Sequence, residues 1–356
     1  AASMLQISSE KGNGFSSYLL GLLYENGEGV DKDFHKATFY YQQSSKQGNT
    51  YAIQRLGQCY NLGFGVEQDY AKAFAFYKES AEKGNPYAMN CLGVCYENGE
   101  GVEKDDRKAI YYYKKAADFG NSNAVFNLGW CYENGIGVEP NDSMAVAYYK
   151  QAAELNNSNA FYNLGSFYES GKGIEKDEAK AIECYKRSAE LGNSDALFNL
   201  AVFYEKGINF EQDSKNALQY YQKAADLGNS SAVFNLAQCY ENGYGVERDY
   251  SKSFHLYKKA EELGNSDALY SLGVCYENGT GVEQDYTKAL DYFQQSAEKG
   301  NSYALLNLGL CYENGTGVEQ SYEKAIEYYQ KSADLGNSDA LINLGVCYAN
   351  GTGVVQ

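Results

Sequence analysis

One anchor recurs along this chain at a fixed interval. The Gly of a Leu-Gly pair falls at Gly21, Gly57, Gly93, Gly129 and Gly165, is replaced by Ala201 and Ala237, and returns at Gly273, Gly309 and Gly345. Every step is 36 residues, with no insertion or deletion. Tyr follows three residues later in all ten cases, and Gly six residues later in all ten. A second Gly usually sits two further on, with Asn209 the exception, and an Asn recurs ten times from Asn13 to Asn337. A period of this size marks stacked supersecondary units. It overrides the prior from length, under which 356 residues would suggest two or three compact domains.

Each unit reads as two helices, as residues 193–228 illustrate. Asn193 can cap a first helix through its side-chain oxygen. Ala196, Leu200, Ala201 and Tyr204 then form one apolar stripe at helical spacing. Gly207 ends that helix, since a residue past the C-terminus in the left-handed region is cheapest as Gly. A short Gly-x-Gly-Val-Glu loop follows in most copies. Next comes a residue able to cap the second helix: Asp33, Asp69, Asp105, Asn141, Asp177, Asp213, Asp249, Asp285 and Ser321. The second helix ends at Gly48, Gly84, Gly120, Asn156, Gly192, Gly228, Gly264, Gly300 and Gly336, all residue types that tolerate the left-handed conformation. Gly or Ala at the anchor lets the two helices approach closely, and the Tyr three residues on is expected to fill the space beyond. A helical hairpin cannot bury both faces alone, so each needs neighbours. The expected fold is all-α: a right-handed α-α superhelix, or solenoid, of 36-residue helix-turn-helix repeats. At roughly 10 Å between packed helices, its spine would be on the order of 100 Å long.

The unit Ala-x-x-Asn-Leu-Gly-x-x-Tyr-x-x-Gly-x-Gly-Val, followed by Asp-x-x-Lys-Ala-x-x-Tyr-Tyr-x-Lys-Ala-Ala, closely resembles the Sel1-like repeat. Ala268 to Val282 with Asp285 to Ala297 is one good copy, and Ala304 to Val318 with Tyr322 to Ala333 another. The resemblance runs from about Leu5 to Gln356. It implies a superhelix related to tetratricopeptide arrays that acts as an adaptor or scaffold. Family members are associated with protein quality control, regulation of cell-wall synthesis, signalling and bacterial interaction with host cells. A cysteine-rich branch joins two Cys per repeat in a disulfide and has been associated with penicillin binding. The second Cys column is missing here, so that property does not transfer.

Seven of the nine Cys share one column, from Cys59, Cys95 and Cys131 to Cys239, Cys275, Cys311 and Cys347. Phe167, Phe203 and Leu23 take the same position elsewhere, which marks a buried apolar slot that suits a free thiol. Neighbouring units about 10 Å apart exceed the roughly 7 Å limit for a bridge, so these thiols should stay reduced. Cys91 and Cys95 are four apart, but His35 and His255 are too distant to complete a metal site. No metal or cofactor is expected. Reduced thiols favour the cytoplasm. The Asn-x-Ser/Thr triplets at Asn141, Asn156, Asn229, Asn278, Asn314 and Asn350 leave a secretory lumen open.

The net charge of −17 repels phosphate backbones and anionic lipid, and no basic stripe for nucleic acid is present. No apolar run is long enough to insert into a membrane. Basic protein segments are the natural complement of such a surface. In related arrays the first helices line a concave groove. The column three before the anchor holds five consecutive aromatics, Phe126, Tyr162, Phe198, Phe234 and Tyr270, and Trp130, the only Trp, lies one turn from Phe126. Four and five residues after the anchor run Glu133, Glu169 and Glu241 with Asn134 and Asn242. Amides can hold a peptide backbone, and Glu beside aromatics suits Lys or Arg. The groove is therefore expected to bind an extended, basic or aromatic-rich segment of another protein. Replacing Phe126, Trp130 and Phe198 with Ala should remove binding and leave the thermal melt intact.

Catalysis is not expected, since no unit carries an insertion and the departures from the repeat bring no nucleophile, base and orienter together. Those departures are Trp130, Pro140, Cys184 and the loop Gly207 to Phe210. Ala1 to Met4 read as a cloning remnant, and residues 1–356 as one array of about nine full repeats and a partial one, taken from a longer protein. The alternative to a scaffold is a regulatory or structural region of a larger enzyme or membrane-associated complex.

Overall fold

The computed structural model describes residues 2–208 and 211–352, so Asn209 and Phe210 of the irregular loop lie outside the described residues. The chain divides into two compact units, Ala1–Leu191 and Gly192–Gln356. The first holds α1 (Ala2–Glu10), α2 (Gly14–Asn26), α3 (Phe34–Ser45), α4 (Thr50–Leu62), α5 (Tyr70–Glu82), α6 (Pro86–Asn98), α7 (Asp106–Asp118), α8 (Ser122–Asn134), α9 (Asp142–Glu154), α10 (Ser158–Ser170) and α11 (Glu178–Glu190). The second holds α12 (Ser194–Lys206), α13 (Ser214–Asp226), α14 (Ser230–Asn242), α15 (Tyr250–Glu262), α16 (Asp267–Asn278), α17 (Tyr286–Glu298), α18 (Ser302–Asn314), α19 (Tyr322–Asp334) and α20 (Ser338–Asn350). From α2 onward, even numbers are first helices and odd numbers second helices. Each first helix packs on the second helix that follows it, and hairpins stack in order within each unit. No helix among the described residues is long and apolar enough to cross a membrane.

The sequence signals act where the spacing placed them. Asn157 sits at the start of α10 and accepts from the Ala160 amide at 3.0 Å. Its column-mates Asn49, Asn121, Asn193 and Asn301 do the same for their helices. Asp or its equivalents cap the second helices, as Asp105 does by accepting from the Lys108 amide at 3.0 Å. The Asp105 amide in turn donates to the Tyr96 carbonyl at 2.8 Å, which closes the loop between the helices. The same loop closure joins Asp69 to Tyr60 and Asp285 to Tyr276. Asn156 is the only non-glycine residue with positive φ among those described, at the one place where the Gly column reads Asn.

The glycine anchor has a specific neighbour. A Cβ built on Gly21 would stand 2.3 Å from the ring of Tyr41, and one on Gly93 would stand 2.4 Å from Tyr113. Tyr77, Tyr149, Tyr185, Phe293 and Tyr329 cover Gly57, Gly129, Gly165, Gly273 and Gly309 in the same way. The ring over the anchor therefore comes from the second helix, not from the Tyr three residues on, which corrects the sequence expectation. That nearer Tyr stacks instead on the first ring of the Tyr-Tyr pair. Tyr96 lies 5.6 Å from Tyr112 at 6°, and Tyr276 lies 5.6 Å from Tyr292 at 9°. The Lys of the Lys-Ala pair covers the same ring, as Lys108 does over Tyr96 at 5.2 Å.

The capping carboxyls of Asp33, Asp69, Asp105, Asp177 and Asp285 are held below the ordinary carboxylate range, chiefly by the backbone N–H of the Lys three residues on. A folded-state pKa below the unfolded one gives stability that is present above about pH 4 and is lost as pH falls through the folded value. Thermal melts should therefore drop between about pH 5 and pH 2. A variant with all five Asp changed to Asn, the residue that already caps α9 at Asn141, should show a shallower drop. Parallel pH profiles for the two proteins would rule out the caps as its source.

Candidate first-helix interaction face

In the first unit, Phe126, Trp130 and Asn134 follow one another at successive turns of α8. Phe126 is half-buried, with its ring 5.5 Å from that of Tyr149. Trp130 is 42% exposed, which makes it the most accessible ring of the expected row. The Asn134 side chain is exposed and donates to the Trp130 carbonyl at 3.0 Å, so it helps end α8. Tyr162 is half-buried and lies 5.7 Å from Tyr185. In the second unit Phe198, Phe234 and Tyr270 are likewise half-buried, each tilted against a buried ring of its own hairpin's second helix: Tyr221 at 5.9 Å, Tyr257 at 5.5 Å and Phe293 at 6.0 Å. Asn242 matches Asn134, donating to the Gln238 carbonyl at 3.0 Å. A surface hollow lined by Glu241, Asn242, Arg248, Tyr250, Asn278 and Thr280 opens beside it.

The glutamate column has a role inside each hairpin. Glu133 accepts from the Tyr149 hydroxyl at 2.6 Å, Glu169 from Tyr185 at 2.9 Å and Glu241 from Tyr257 at 2.7 Å. Glu97, Glu205 and Glu313 do the same for Tyr113, Tyr221 and Tyr329, and Glu25 for Tyr41. Burial first, and the adjacent carboxylate second, push these tyrosine hydroxyls far above their ordinary pKa, so they remain donors. At three of these tyrosines the following hairpin supplies a third member. Asn235 donates its side-chain amide to the Tyr221 hydroxyl at 3.0 Å, and Asn163 and Asn343 hydrogen-bond Tyr149 and Tyr329. A Glu–Tyr–Asn chain thus links hairpin to successor at Tyr149, Tyr221 and Tyr329. The Glu–Tyr bond commits one oxygen of each predicted Glu to the fold, and the Asn of Asn-Leu-Gly joins it at Asn163, Asn235 and Asn343.

The column six before the anchor escaped the sequence reading. Phe15, Tyr51 and Tyr87 are 64%, 47% and 52% exposed, and each touches the next ring in a run through Tyr18. The signal was available, since the same column reads Tyr303 in the second unit, where that ring lies 6.2 Å from Tyr270. The seven thiols of the cysteine column are buried, and all nine cysteines are free. Burial pushes the Cys131 thiol up to about 12 and Cys91 up to about 11, so neither is a ready nucleophile.

A family model described as the Sel1 repeat matches ten consecutive segments, from residues 15–49 and 50–85 through 302–337 and 338–356. The chain belongs to the Sel1 repeat family. Among solved structures, it is similar to c5321, described as a protective antigen of uropathogenic Escherichia coli with an SLR fold. The two are 33% identical with a TM-score of 0.70, over 99% of this chain and 75% of that one. It is also similar to a Sel1 repeat protein from Oxalobacter formigenes, with 33% identity and a TM-score of 0.64 over 69% of this chain and 99% of that one. No curated protein matches. Sel1 repeat proteins are in general protein-interaction scaffolds rather than enzymes.

Proposed function

We propose that this chain is a non-catalytic scaffold whose first-helix face holds an extended, basic or aromatic-rich segment of another protein. One observation carries the reading. The recurrent Asn, Asp, Lys, Tyr and Glu side chains are engaged within the hairpins, whereas the ring row leaves aromatic surface open beside exposed amides. Partly exposed rings next to amide groups offer apolar contact and backbone pairing together, and Trp and Tyr are the residues that most often anchor interfaces. The buried thiols suit a reducing compartment, and the cytoplasm is our proposed location.

The test uses peptides selected from a displayed random library. Binding should fall about tenfold or more on Trp130→Ala or on Phe234→Ala, according to the unit a peptide occupies. The exposed Trp130 can be removed with the melt unchanged. Phe126→Ala and Phe198→Ala will lower the melt as well, because half of each ring belongs to the core. The triple replacement expected to be silent in stability is therefore not silent, and Trp130 is the clean probe. Peptides indifferent to every ring on this face would remove the reading.

A further inference from the structure

One glutamate of the column lacks the tyrosine that its column-mates meet. Phe293 stands where its column-mates are Tyr, fully buried over Gly273. The neighbouring hairpins place a tyrosine hydroxyl 2.7 Å from Glu241 and 2.5 Å from Glu313. Glu277, between them in the same column, has a phenyl ring with no hydroxyl in that place. No hydrogen bond or ion pair holds its carboxylate among the described residues, whereas Glu133 has Lys172 as well as Tyr149, and Glu25 has Arg55 as well as Tyr41. The carboxylate is half-buried all the same, and that burial raises its pKa. Asn307, which would reach a hydroxyl at position 293, hydrogen-bonds Tyr270 instead. Tyr270 lies two turns before Glu277 on the same face of α16, near enough to feel its charge, and its ring adjoins that of Tyr303.

A half-buried carboxylate with both oxygens unclaimed is a poor structural element, because it carries the cost of desolvation with no partner to offset it. It is a good receptor for one cation beside aromatic rings. We propose that Glu277, left without its tyrosine by Phe293, seats one Lys or Arg side chain of the bound partner segment. The Tyr270 and Tyr303 rings flank its stem. The excess of acidic residues over the whole chain favours a basic visitor. The inference rests on the scaffold reading above and assigns charge selection to one hairpin.

The experiment selects peptides from a displayed random library on the wild-type chain, with depletion on Glu277→Gln. Enriched peptides should share a Lys or Arg at one position. A synthetic copy should bind Glu277→Gln about tenfold more weakly, the effect of removing one charged partner. It should also bind Phe293→Tyr more weakly, because the restored hydroxyl occupies the carboxylate, while Glu313→Gln changes affinity less than about twofold. Circular-dichroism melts of all three variants confirm that each is folded. Peptides that ignore Glu277→Gln yet respond to Trp130→Ala or Phe234→Ala overturn this inference and leave the scaffold reading standing. Peptides that ignore all of these changes, or no enrichment at all, overturn both.

Discussion

Tyr113→Ala should lower stability by about 3–5 kcal/mol, the range seen when a large core ring is truncated. The ring is fully buried and seated over Gly93, where a Cβ would stand 2.4 Å away. Its removal opens a cavity between the helices of one hairpin. The half-buried Glu97 also loses the hydroxyl that meets it at 2.6 Å. Tyr113→Phe removes only that bond and should cost about 1–2 kcal/mol. The protein already tolerates this arrangement at Phe293. Urea unfolding followed by circular dichroism separates the two. In a stacked array each hairpin leans on its neighbours, so the Ala variant should also broaden or split the transition. Equal losses for Ala and Phe would show that the ring-on-glycine contact is not a principal support.

Gly101→Ala is the second large expected loss, about 3 kcal/mol. Gly101 has φ +71, and a Cβ there would stand 2.1 Å from the Tyr70 carbonyl oxygen at the start of α5. Left-handed strain of about 1–2 kcal/mol adds to an overpacking cost of about 1–3 kcal/mol. The clash lies between consecutive hairpins and is with backbone, so no side chain can swing aside. Gly99, two residues earlier, also has positive φ, but its nearest contact would be 3.5 Å away. Gly99→Ala should therefore cost only the strain, about 1 kcal/mol. If thermal melts of the two variants fall by the same amount, the second glycine of the loop does not set hairpin stacking.

Much of this was legible from residue identity. The step, the helix pair, the Asn and Asp caps and the buried thiol column all follow from local chemistry, which a repeating sequence prints many times. What was hidden is which partner a side chain meets across helices. The spacing shows that a Tyr follows each Gly anchor by three residues, yet Tyr41, not Tyr24, covers Gly21. The Glu column illustrates the same limit. Its regularity reads as a lining, but a residue demanded at every turn of an array is first a demand of the packing, and Glu169 meets Tyr185. Phe126 and Phe234 lie between the two cases, half core and half surface. Trp130 was readable because it interrupts its column, and the change of Tyr to Phe at 293 carries information for the same reason.

Within either unit the ring seated on a small anchor residue and the closed loop between helices recur every 36 residues. Duplication or loss of 36 codons, wherever the break falls, would rejoin these contacts in register. A gene of this kind can lengthen or shorten its product by unequal recombination, with no fresh interior to invent each time.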